Sequence, residues 1–96
     1  MRQAAAGVWA IRERTEHEAA ILFTRLAADL DESGASRRLS DLALEAAADE
    51  RVHATHCRRV IDALVPGLVP LVPEASVHVG PRDAPAARRA LYASVA

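Results

Sequence analysis

Residues 47–57 read AADERVHATHC. An alanine-rich run of helical character here acquires an acid, two histidines and a thiol. Glu50 and His53 stand three residues apart, so on an α-helix both side chains leave the same face. Leu39, Ala43, Ala46, Glu50, His53, Cys57, Val60 and Leu64 extend that face into one stripe. The spacing predicts a helix over 37–65, which Pro66-Gly67 then stops.

Upstream, residues 4–32 are rich in Ala, Leu, Ile, Glu and Arg and lack proline. Trp9, Glu16, Ala20, Phe23, Ala27 and Leu30 recur at heptad-like spacing, which predicts a second amphipathic helix. Gly34 suits a left-handed helix end, and Ser36 is placed to cap the next helix. A connection this short makes the two helices an antiparallel hairpin.

With Gly34 as the fold point, Glu16 lies 18 residues before it, and Glu50 and His53 lie 16 and 19 after it. At ~1.5 Å of rise per residue all three stand roughly 24–28 Å from the turn. Glu18 is at a similar height, but two residues of helix rotate it about 200° away from the Glu16 face. Asp49 leaves the second stripe in the same way. Two carboxylates and one imidazole are therefore expected together in an otherwise apolar seam.

Beyond the hairpin, 66–83 is a Pro-rich irregular stretch. Fully extended, it spans roughly 55 Å, at about 3.3 Å per residue. The preceding helix is only roughly 45 Å long, so this crossover can return along the whole hairpin. A third helix is expected over 84–96, with Asp83 or Ala84 as its cap and Pro85 in its first turn.

Composition narrows the class. The chain is 51% hydrophobic and 26% charged, the balance of a folded soluble domain. A formal charge of −1 argues against a nucleic-acid partner. No apolar run approaches the ~20 residues that span a bilayer, and the N-terminus turns charged too early for a signal peptide. A lone cysteine excludes an internal disulfide and fits a reducing, cytoplasmic setting.

A buried ionised acid is costly unless it is paired or bound to a cation. Arg12 and Arg51 are the nearest counter-charges, both from neighbouring faces. Glu-x-x-His offers one oxygen and one nitrogen ligand, and Glu16 adds a second oxygen. Such donors suit iron or manganese. They form half of the carboxylate two-ion arrangement found in helical-bundle cores.

The runs TEHEAAILFTRLAADL (15–30) and ALEAAADERVHATHC (43–57) resemble the first half of the ferritin-like, rubrerythrin-type diiron carboxylate superfamily. Glu16, a gap of 34 positions and Glu50-x-x-His53 carry the likeness, over residues 9–65. The resemblance implies an all-α fold in which the hairpin is half of a four-helix bundle. It also implies a two-iron site and oxidation of Fe(II) by dioxygen or peroxide, for iron handling or oxidase chemistry. Glu16, Glu50 and His53 would be metal ligands, with Glu50 bridging. The family's third-helix Glu and second Glu-x-x-His do not occur before Ala96. A second copy of the chain or a C-terminal half is expected to supply them.

The alternative function is a metal-free helical interaction module, since a two-helix hairpin does not cover its own apolar stripe. Other residues are read conservatively. Cys57 is a small apolar packing residue rather than a zinc ligand. His56 is a polar helix residue, His17 is a flanking surface residue, and Trp9 and Phe23 are core. Arg58-Arg59 and Arg88-Arg89 are solvated. Tyr92 packs a helix, and His78 has no visible partner.

Overall fold

The computed structural model describes residues 1–74. The second part of the crossover and the expected helix at 84–96 lie outside the described residues. Two helices account for most of the rest: α1, Arg2–Glu32, and α2, Arg37–Leu64. No strand occurs among the described residues. Contacts between Asp31 and Ser40, Thr24 and Arg51, Glu16 and His53, and Glu13 and Arg58 pair rising with falling residue numbers. The helices are therefore packed antiparallel.

The turn follows from one glycine. Gly34 has φ +80°, a conformation that a side chain disfavours. With it in place, Ala35 N–H reaches back to Leu30 C=O at 3.0 Å and Gly34 N–H to Asp31 C=O at 3.2 Å. These are the paired bonds of a Schellman stop, and they satisfy carbonyls that the helix end would otherwise leave open. Ser36 occupies the N-cap position of α2 with an extended backbone, but its side chain makes no capping bond. The Ser40 hydroxyl instead donates to the Asp31 carboxylate across the turn.

The buried seam differs from the stripe that the apolar residues suggest. On α2 the buried positions are Ser40, Ala43, Ala47, Ala54, Cys57 and Ile61, and Glu50 fills the gap in their alternating three- and four-residue spacing. On α1 they include Ala6, Ala10, Glu13, Ala20 and Ala27. The expected stripe placed Leu39, Ala46, His53 and Val60 inward. The true seam runs one residue later at each of these points. Leu39 is 48% exposed and His53 is also exposed, while Ala46 and Val60 are half-buried. Trp9 and Phe23, expected in the core, are half-buried too. The cause is steric. Alanines let two backbones approach closely, and larger side chains must then stand beside the contact line rather than on it.

An arginine–glutamate ion pair crosses this narrow seam. Glu13 is 4% exposed. Its two carboxylate oxygens accept from Arg58 Nε at 2.9 Å and from Arg58 Nη2 at 2.7 Å. Arg58 Nη1 also donates to the Leu68 carbonyl at 2.7 Å and to Asp62 at 3.3 Å. Arg58 is thus a half-buried clamp and not the solvated residue expected from sequence; Arg59 is exposed. The clamp holds the segment after α2 against the hairpin. That segment returns as far as Glu74, whose N–H donates to Glu18 Oε2 at 2.9 Å.

Arg58→Ala strands the Glu13 charge in the seam and is expected to cost about 3 kcal/mol or more, as removal of one partner from a buried pair does. Arg59→Ala is expected to stay within about 0.5 kcal/mol, as surface changes do. Urea unfolding of both variants checks this, and equal midpoints would contradict the clamp.

Candidate metal centre

α1 brings Glu16 and α2 brings Glu50 and His53 to one point beside the seam. Each offers a donor atom, and the three atoms lie within 4.8 Å of one another. His53 Nδ1 is 3.6 Å from Glu16 Oε2 and 3.8 Å from Glu50 Oε1. Among the described residues no other group of three or more His, Cys, Asp or Glu residues is placed to hold an ion. The two acids are about four-fifths buried, with side-chain exposures of 20% and 21%, while the imidazole is 56% exposed. The cluster therefore sits at the rim of the seam and not inside it.

The site is placed at the middle of the hairpin. In α1, 14 helical residues precede Glu16 and 16 follow. In α2, 13 precede Glu50 and 14 follow.

Electrostatics mark the two acids as a pair. The Glu50 carboxyl is raised above its ordinary value of 4.5, first by a hydrogen bond to Glu16, then by burial and by the Glu16 charge. His53 opposes the rise. Glu50 therefore gives up its proton less readily than a lone acid does. A cation would take the same place between the oxygens. The two arginines expected as counter-charges make other contacts. The Arg12 guanidinium lies 4.7 Å from the centre of the Trp9 ring, and Arg51 donates to the Thr24 hydroxyl at 3.4 Å.

The neighbouring groups separate cleanly. Cys57 is 3% exposed, and its thiol is raised, first by burial and then by the Glu16 charge. It packs as the small apolar residue expected and is not one of the three clustered donors. His56 is exposed. His17 turns to the opposite side of the seam, into a cleft of about 560 Å³ that it shares with Thr24, Arg51 and Pro73. Glu18 holds the Glu74 amide rather than the cluster. Glu13, the most buried acid, escaped the sequence reading; its position seven residues before Ala20 on the seam was the available signal.

Comparison of the chain with protein-family models, with characterised proteins and with solved structures gives no match. The site therefore has to be read from its own chemistry.

The raised Glu50 carboxyl has a definite sign in linkage. A group held protonated by the fold stabilises it below its ordinary value of 4.5, and that contribution is lost as pH rises through the raised value. In chelator, the melting temperature of the wild type relative to Glu50→Gln is expected to fall as pH climbs above 4.5. Parallel pH profiles of the two proteins would contradict the raised Glu50 carboxyl.

Proposed function

We propose that the protein is a metal-binding half-bundle of ferritin-like type, with Glu16, Glu50 and His53 as the ligands of an iron site and manganese as the alternative ion. The observation that carries this reading is the convergence of two carboxylates and an imidazole within 4.8 Å, from two helices, midway along the hairpin. The donor set is chemically apt, because oxygen and imidazole donors together favour first-row ions such as these. The spacing is apt too. Donors about 2 Å from a shared ion lie about 3–4 Å from one another, close to the 3.6 and 3.8 Å separations of His53 from the acids.

The ligands have distinct tasks. Glu16 and Glu50 would neutralise the cation in their ionised form, so acid competes with metal. Glu50 would be the bridging carboxylate, as the resemblance implies. His53 supplies a neutral nitrogen and is the most exposed of the three, which puts the entry route on its side. An iron site of this kind supplies oxidation of Fe(II) by dioxygen or peroxide, in iron handling or in oxygen-dependent oxidation. No helix among the described residues is long and apolar enough to cross a membrane, and the reading requires none. The alternative, a metal-free interaction module, draws support from Leu39 and Leu42, which are 48% and 42% exposed.

Metal content decides between them. Glu50→Ala and His53→Ala are each expected to lower bound iron or manganese at least about tenfold, since each deletes a ligand. Glu18→Ala, on a different face, is expected to leave it within about twofold. Elemental analysis of the purified proteins makes the measurement, and equal content in all four rejects the ligand assignment.

A further inference from the structure

The segment after α2 is held to the hairpin at two points. Arg58 donates to the Leu68 carbonyl at 2.7 Å, and the Glu74 N–H donates to Glu18 Oε2 at 2.9 Å. Between these points Pro73 forms one wall of the cleft of about 560 Å³, and α1 and α2 form the others. That volume falls within the ~300–1,000 Å³ of small-molecule sites. Ala20 and Ile21 give the cleft an apolar lining, and Thr24, Arg51 and Thr55 add polar groups. Its two ends differ in charge. Glu18 and Glu74 mark the end beside Pro73. Arg51 meets Thr24, which stands six residues beyond Glu18 on α1, roughly 9 Å along the helix. Arg25, the next residue of α1, also lines the cleft.

We propose that this cleft binds a small organic monocarboxylate, its head on the Arg51 guanidinium and its apolar body against Ala20, Ile21 and Pro73. The inference stands apart from the metal reading. Arg51 is the group that selects the head. Among the described residues it pairs with no carboxylate, and its side-chain bond to Thr24 is long at 3.4 Å. A guanidinium presents its N–H donors in a planar fork that takes both oxygens of a carboxylate. The rest of the cleft limits the head to what such a fork holds. The Thr24 and Thr55 hydroxyls donate to the Ala20 and Arg51 carbonyls at 2.8 and 3.1 Å, so neither has a proton to offer a ligand. Backbone N–H groups at these mid-helix positions are spent on carbonyls one turn back. A phosphate dianion, which calls for several donors at once, is poorly served. The apolar lining favours a ligand with a hydrocarbon body over a bare ion, because that body leaves water on binding. The acids beside Pro73 repel the head and so direct it to the arginine end.

Titration calorimetry of the whole chain at neutral pH, in chelator so that no metal takes up the carboxylate, tests this with octanoate and benzoate as probes. At least one of them is expected to bind with a dissociation constant of about 1 mM or tighter, as a well-seated ligand of this size does. Octanol, which lacks the charge, and inorganic phosphate, which lacks the apolar body, are each expected to bind at least about tenfold more weakly. Arg51→Gln is expected to weaken the carboxylate at least about tenfold, through loss of a charge-assisted bond. Thr55→Phe, which fills the cleft from an exposed position and leaves the guanidinium in place, is expected to do the same. Arg59→Gln, exposed on the same helix and outside the cleft, is expected to stay within about twofold. Circular dichroism of each variant establishes that the hairpin is intact. Failure of both carboxylates to bind overturns the proposal. So does octanol or phosphate binding as tightly as octanoate, which would leave only the apolar lining or only the charge at work. Unchanged affinity in folded Arg51→Gln places the ligand elsewhere and overturns it too.

Discussion

The close contact of two alanine-lined helices is the constraint on which the rest of the molecule depends. Ala10, Ala20 and Ala27 on one helix and Ala43, Ala47 and Ala54 on the other are almost wholly buried. Alanine is the best helix former and loses no side-chain freedom on burial, so the seam carries little entropic cost. It also gains little, because each side chain removes only one methyl group from water. What the seam supplies is proximity. Carboxylates from α1 reach groups on α2 because the backbones between them are close.

Proximity sorts the polar groups by depth. Glu13 lies deep, and Arg58 neutralises it with two hydrogen bonds. Glu16, three residues on, stands at the rim, where its oxygens face another acid and an imidazole. Both are glutamates of one helix, less than a turn apart, yet one is held by an arginine and the other faces an acid and an imidazole. The difference lies in what the second helix places opposite them. The same Arg58 also grips the Leu68 carbonyl, so it fixes the segment leaving α2 to the hairpin.

Much of this was legible in the sequence, and the exceptions have physical causes. Heptad spacing, Gly34 and Pro66-Gly67 gave both helices and the reversal between them, because helix periodicity and helix stops are local properties. The clustering of Glu16 with Glu50 and His53 followed from height above the turn, which needs only the rise per residue. The phase of α2 was misjudged by one residue because Leu39 and Val60 seemed to deserve burial, whereas close packing selected Ser40 and Ile61. The Glu13–Arg58 clamp was missed for a related reason. An arginine 45 positions away from its acid becomes its partner only once that phase is known. The resemblance to a ferritin-like half-bundle rests on the residues that carry it, without support from any matched family.

Cys57 lies one helical turn beyond His53, behind the cluster, and it illustrates how the environment of a reactive atom decides its chemistry. Thiols react with peroxide as thiolates. Burial in the alanine seam and the nearby Glu16 charge both hold this sulfur in its protonated form. The packing that brings Glu16, Glu50 and His53 together thus also passivates the thiol beside them, for as long as the seam stays shut.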